Sequence, residues 1–259
     1  MKRPIRTGAK LALVTALLIA TSAAPAAADH DWGGYHWARA ANPFEPALQL
    51  GDNLTSAWDP YLGYSDLDWS DTSGGNPVRT SIVPGLTTGR KCRASSGRVE
   101  VCNAAYGNNG WLGLASIWAS EGHISQATVK VNDSYFNSSN YNYNTPDWRR
   151  SVMCQEVGHV FGLDHQSEDP EINMGTCMDY YRFPNLAPNP HDYAQLAAIY
   201  EHLDPADPAD PPRRKGKGGR GLRKVTDSLF VEHLGNGRKR FVWVYWKDRV
   251  LPHRPPDEG

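Results

Sequence analysis

The run Gln155-Glu156-Val157-Gly158-His159-Val160-Phe161-Gly162-Leu163-Asp164-His165 constrains this chain more than any other part of it. Positions 155 and 159 are four apart, so on a helix turning about 100° per residue both project from one face and can hold one ion. Glu156 sits beside that face, where a carboxylate can take the proton of an activated water. Gly162 can leave the helix through a left-handed turn, which lets His165 come back to the same ion from outside it. A lone histidine is usually structural. Two at this spacing, with Glu156 and Gly162 between them, mark His159 and His165 as metal ligands.

The run resembles the extended H-E-x-x-H-x-x-G-x-x-H signature of the metzincin zinc endopeptidases, the clan of matrixins, astacins and serralysins. It matches in every specified position but the first, where Gln155 stands in place of histidine. Cys177-Met178-Asp179-Tyr180 is similar to the Met-turn of that clan, with Met178 following His165 by 13 residues. The segment Asn189–Tyr200 is similar to the helix that closes the matrixin catalytic domain. The resemblance covers Trp58 to Leu203 and is strongest from Trp148 to Tyr200.

That resemblance implies an α+β fold: a metzincin-like zincin domain with a twisted mixed sheet, a metal helix, a Met-turn and a C-terminal helix. It implies one catalytic zinc ion, peptide or protein substrates, and Glu156 as general base. Tyr180 would donate to the oxyanion or supply an oxygen ligand, as the Met-turn tyrosine of astacins and serralysins implies. The strand Leu112–Trp118 is expected to form an exposed edge against which a peptide lies extended, since an edge offers unpaired backbone groups.

Gln155 leaves three outcomes open. Its amide oxygen can reach where an imidazole nitrogen would, as a poorer zinc donor. A neighbour such as Asp164, His123 or His191 can replace it, or the site can be empty. The reading adopted is a working but atypical secreted zinc endopeptidase. Its rival is a non-catalytic secreted binding or cell-surface protein on a degenerate scaffold of the same kind.

Residues 1–28 read as an export signal: a basic start at Lys2, Arg3, Arg6 and Lys10, an apolar run from Leu11 to Ala20, and Ala26-Ala27-Ala28 as cleavage site. No later stretch approaches the ~20 apolar residues of a membrane span. Residues 29–203 form the expected protease domain, with 10 Lys+Arg against 20 Asp+Glu. From Asp204 onward the balance reverses, to 13 against 8. An acidic body argues against nucleic acid, while the basic tail can meet the body or an anionic surface. Residues 204–224 read as a Pro/Asp-rich and then basic linker. In 225–259, Ser228–Leu234 and Arg238–Trp246 flank Gly235-Asn236-Gly237, a hairpin signal. Phe230, Phe241, Trp243 and Trp246 require something to pack on. The protein is expected to be monomeric.

Four cysteines in an exported chain allow three pairings. Cys92–Cys102 is favoured because Gly97 between them permits a hairpin, and Cys154–Cys177 because it would tie the metal helix to the Met-turn. Cys154 lies about 100° around the helix from Gln155, a poor position for a ligand. Tyr35–Ala38 and Ala47–Leu50 read as short strands, and Asn53–Leu62 as a helix capped by Asn53. Asp66–Asp71 has some look of a loop for structural Ca2+. It lacks glycine at the sixth place and glutamate at the twelfth, so it reads as a solvated loop. Leu112–Trp118 and Ile124–Val131 read as strands joined by Glu121-Gly122-His123, and Asn132–Asn144 as a surface loop. Thr145-Pro146-Asp147 starts the metal helix.

Overall fold

The computed structural model describes residues 30–204, 220–247 and 256. The expected export signal and most of the expected linker lie outside them. The architecture is α+β, with a mixed sheet and four helices among the described residues. In chain order the elements are β1 (His36–Trp37), β2 (Leu48–Asn53), α1 (Asp59–Trp69), β3 (Thr80–Pro84), β4 (Val99–Ala104), β5 (Trp111–Ser120) and β6 (His123–Asn132). There follow α2 (Asp133–Phe136), α3 (Pro146–His159), α4 (Pro190–Ile199), β7 (Arg220–Lys224), β8 (Leu229–Gly235) and β9 (Arg238–Trp246).

The strands run β3-β2-β4-β6-β5-β9-β8-β7, with β1 pairing the start of β6. The half from β3 to β6 is parallel and the half from β6 to β7 antiparallel. Helix α3 lies across β5, β6 and β9, and α1 packs beside it. Trp69, fully buried at the end of α1, donates its indole N–H to the Cys154 carbonyl at 3.0 Å and fixes the two helices together.

Local chemistry explains the helix starts. The Thr145 hydroxyl accepts from the Trp148 N–H, Pro146 fills the first turn and Asp147 suits the positive end of α3. Asn189 and Asp192 form a reciprocal capping box on α4. The disulfides are Cys92–Cys102 and Cys154–Cys177, so Cys154 is no metal ligand.

Five expectations are corrected. Asn53 ends β2 instead of capping a helix, because its side chain bridges Gly51, Glu100 and the Thr87 N–H. The helix starts later, with Pro60 in its first turn, and runs through the supposed calcium loop. There Asp66 accepts from the Thr80 hydroxyl, Asp68 from Arg150 and Asp71 from Ser73, so the carboxylates serve separate partners. Residues 132–144 are not simply a surface loop. Asn132 is fully buried and caps the short helix α2, and Tyr135 and Phe136 enter the core.

The fourth correction matters most for function. β5 is no edge strand, because β9 pairs antiparallel along nearly its whole length, from Trp111↔Trp246 to Ala119↔Lys239. The fifth is that Arg220–Lys224, expected as linker, is a strand on β8.

The hairpin itself turns through Asn236 and Gly237, both at positive φ, as the sequence Gly-Asn-Gly demands. Period-2 alternation along β9 sends Phe241, Trp243 and Tyr245 into the main core. It sends Val242, Val244 and Trp246 into a second cluster with Phe230, Trp111 and Tyr180. The C-terminal strands therefore share the core of the body. Trp246→Ala, emptying a site 1% exposed, should cost about 3–5 kcal/mol. Thermal unfolding by circular dichroism should show the main transition falling; an unchanged main transition would mean that the hairpin folds apart from the body.

Candidate metal centre

Helix α3 presents Gln155, Glu156 and His159 from a stretch buried on every side, and the chain then leaves it through Gly162 at φ +99°. A Cβ at Gly162 would collide with the Tyr35 carbonyl oxygen, so the position needs glycine for both its dihedral and its space. The turn brings His165 back toward the helix, and the Nε2 atoms of His159 and His165 face each other at 3.1 Å.

Each ring is held by its other nitrogen. His159 Nδ1 lies 2.9 Å from the Leu163 carbonyl, which can only accept, so Nδ1 carries the proton and Nε2 the lone pair. His165 Nδ1 faces the Ser228 hydroxyl at 3.3 Å, the Glu168 carboxylate at 3.6 Å and the Asp164 carboxylate at 3.9 Å. Those acceptors favour a proton on Nδ1 here too, which leaves Nε2 turned to His159. Ligand atoms about 2.0–2.1 Å from a tetrahedral ion stand about 3.3 Å apart, close to the separation found.

The electrostatics agree. Burial, with repulsion from His165, holds His159 well below its ordinary pKa and therefore neutral, as a ligand must be; the Leu163 carbonyl opposes this only in part. Burial opposes ionisation of Glu168, yet hydrogen bonds from His165 and from the Ser228 and Thr226 hydroxyls hold its carboxyl down to about 2.

None of the described residues satisfies the side-chain oxygen or nitrogen of Gln155, or either carboxyl oxygen of Glu156. Burial pushes the Glu156 carboxyl well above the usual range, opposed by the nearby Ala115 backbone, which makes no well-formed hydrogen bond to it. Gly113 on β5 leaves the room that Glu156 fills, since a Cβ there would strike its Oε1. Buried polar groups are almost always paired, so an orphaned amide one helical turn before His159 fits a ligand that the described residues do not supply. Met178 is fully buried against Gly158, where a Cβ would meet its sulfur.

Tyr180 stacks edge-on to His165 at 4.8 Å between ring centroids. Its hydroxyl donates to the Val244 carbonyl and accepts from the Trp246 N–H at 3.0 Å, both on β9. Asp164 accepts from the Trp243 indole at 3.2 Å and from the His165 N–H at 2.9 Å, so it orients the site. The Trp243 ring stacks on His159 at 5.2 Å and 14°. His191 stacks on His30 instead. Sequence spacing gave no notice of Ser228, Glu168 or Trp243, which reach the histidines only through the packed hairpin and the turn after His165.

His123 belongs to another group. His36, His123 and Asp204 each offer a ligand atom within 4.8 Å of the others, and the group could hold a metal ion. Burial alone would raise the Asp204 carboxyl; hydrogen bonds from His123, the Arg39 N–H and His36 hold it at about 2.

No family model matches the chain, and no curated protein matches it. Gly162→Ala should destabilise the protein by more than ~1 kcal/mol through strain at φ +99° and the Tyr35 clash. Denaturant unfolding would show it as a lower midpoint. At Gln155, substitution by histidine should tighten zinc, because imidazole is the better donor, and alanine should loosen it. If neither moves the zinc affinity, Gln155 lies outside the coordination sphere.

Proposed function

We propose that the chain is an exported zinc-dependent endopeptidase of metzincin type, closed by its own C-terminal hairpin. The observation that carries the reading is the approach of His159 and His165, Nε2 to Nε2 at 3.1 Å, at the end of a buried helix whose Gln155 amide and Glu156 carboxyl have no partner among the described residues. The fold offers a mixed sheet with α3 across it, and two disulfides fit an oxidising compartment. No described helix is long and apolar enough to cross a membrane.

His159, His165 and the Gln155 amide oxygen would hold the ion, which when bound supplies Lewis acidity toward a carbonyl and an activated water. Glu156 takes a proton from the attacking water and passes it to the leaving amine. A carboxyl raised by burial has a pKa better matched to that transfer near neutrality than an exposed one. The Leu163 carbonyl, Glu168 and Ser228 keep both rings in the ligating tautomer.

Strand β9 stands where an extended peptide would lie. It runs antiparallel along β5, lays Trp243 on His159 and occupies the Tyr180 hydroxyl with its backbone. With His159 1% exposed and Glu156 0%, a substrate reaches them only when β9 moves. Lifting β9 would also release Tyr180 to donate to an oxyanion. The same seal favours a second reading, a non-catalytic secreted protein on this scaffold.

Cleavage of an unfolded protein by the zinc-loaded full chain separates the two. Cleavage should be chelator-sensitive, rise in Trp243→Ala, and fall at least about 100-fold in Glu156→Ala with the fold retained. Cleavage that survives Glu156→Ala removes the assigned base. No cleavage by either the native chain or Trp243→Ala, with zinc bound, favours the non-catalytic reading.

A further inference from the structure

Three imidazoles meet one carboxylate oxygen on the side of the fold where β1, the β5–β6 turn and the end of α4 come together. His123 Nε2 lies 3.0 Å from Asp204 Oδ1, His202 Nε2 3.3 Å and His36 Nε2 3.5 Å. His36 and His123 are brought side by side by the register of the parallel pair β1–β6, in which they are direct partners. Their rings pack edge-on at 4.9 Å, and the His202 ring meets His36 at the same distance. The other oxygen, Asp204 Oδ2, accepts from the Arg39 N–H at 3.0 Å, and the Asp204 N–H donates to the Arg39 carbonyl at 2.9 Å. That pair of bonds fixes the carboxylate with Oδ1 turned to the rings.

Donor atoms from three segments converge on this oxygen. His36 Nδ1 is 2.7 Å from the Gly34 carbonyl, which orients the ring with Nε2 toward Asp204. Three Nε2 atoms crowd an oxygen that has room for about two hydrogen bonds. The ligand atoms of His36, His123 and Asp204 all lie within 4.8 Å of one another, and their ring-to-carboxylate separations of 3.0 and 3.5 Å bracket the ~3.3 Å edge of a tetrahedron with ligands about 2.0–2.1 Å from its centre.

We propose that His36, His123 and Asp204 bind a zinc ion, with His202 at its rim, and that the ion clasps the N-terminal segment to the β5–β6 turn and the segment after α4. The three ligands come from three segments of the chain, so an ion held by them ties those segments together. Two imidazole nitrogens and one carboxylate oxygen argue against Ca2+ and Mg2+, which take six or more oxygens, and suit zinc among the imidazole-binding metals. Asp204 and His36 form a buried floor, with side chains 5% and 9% exposed. His123 and His202, 32% and 53% exposed, form the rim through which an ion enters.

The clasp has a mechanical consequence. The segment it holds, residues 30–39, runs under the turn that carries His165: Trp37 donates to the Val160 carbonyl at 2.7 Å, and the Tyr35 carbonyl rests on Gly162. Asp164 N–H donates to the His30 carbonyl at 2.7 Å in the same strap. An ion at His36 fixes that strap at one end.

The inference stands whether or not the chain is a peptidase, and its test avoids activity. The full chain carrying His159→Ala and His165→Ala is stripped of metal and titrated with zinc, with elemental analysis of the dialysed product. One ion per chain should remain bound and raise the thermal midpoint. Adding His123→Ala and His202→Ala, both at the rim, should weaken zinc at least about 100-fold and abolish the rise in midpoint. Should the first pair of substitutions prevent folding, the rim pair is made in the otherwise native chain, which should then hold one ion fewer than the native protein. Zinc content and midpoint unmoved by the rim substitutions overturn the proposal, as does no ion bound before they are made.

Discussion

The polar face of α3 is buried, and the rest of the structure is arranged around that burden. Gln155, Glu156 and His159 are each at most 1% exposed, in a helix whose other faces contribute Val152, Met153 and Val157 to the core. Unpaired polar atoms in such a place cost on the order of 1–3 kcal/mol apiece, more for a charge. Natural sequences rarely carry several together without a ligand, a reaction or both to account for them. The surrounding residues conform to these groups. Gly113 is hollowed for the Glu156 carboxyl, Gly158 for the Met178 sulfur, and Gly162 for the Tyr35 carbonyl. In each case a methyl group would meet the neighbour.

The enclosure is built from distant parts of the chain. The N-terminal strap runs under the turn after α3, the Met178 turn is bound to the helix through Cys154–Cys177, and β9 closes the remaining side. Because β9 supplies alternate residues to both clusters of the core, the hairpin is integral to folding as well as to closure. A cover of this kind differs from a detachable tail. To uncover the histidines, the protein must break the β5–β9 ladder and unstack Trp243, so opening is costly and the closed state dominates.

Elements set by short-range chemistry were legible in the sequence. The start of α3 at Thr145-Pro146-Asp147, the departure at Gly162 and the Gly-Asn-Gly hairpin all depend on residues within a few positions of one another. The helix at Asn53 failed because the Asn53 side chain is claimed by Glu100 and Thr87, 47 and 34 residues away. The exposed edge at Leu112–Trp118 failed for a reason the sequence does contain. Trp111-Leu112-Gly113-Leu114-Ala115-Ser116-Ile117-Trp118 is apolar on both faces, the mark of a strand covered on both sides, whereas a half-solvated strand alternates. What covers it lies over a hundred residues later. The cluster at His36, His123, His202 and Asp204 was hidden for the same reason: its members come from three segments that only the β1–β6 register and the end of α4 bring together.

The two histidine clusters obey one rule and differ in one respect. In both, a backbone carbonyl (Leu163 for His159, Gly34 for His36) lies against Nδ1 and leaves Nε2 facing another member of the cluster. In both, donor atoms approach to within the edge length of a small tetrahedron. Access separates them. The cluster at α3 is sealed, and only two of its expected ligands are strong donors, with an amide as the third. The other is open at its rim through His123 and His202. An open rim lets an ion enter the folded protein, whereas at α3 strand β9 lays Trp243 over His159. The strap of residues 30–39 joins the two, with His36 in one cluster and the Tyr35 carbonyl against the turn that positions the other. Stiffness at the clasp is therefore transmitted to the very residue, Gly162, on which the return of His165 depends.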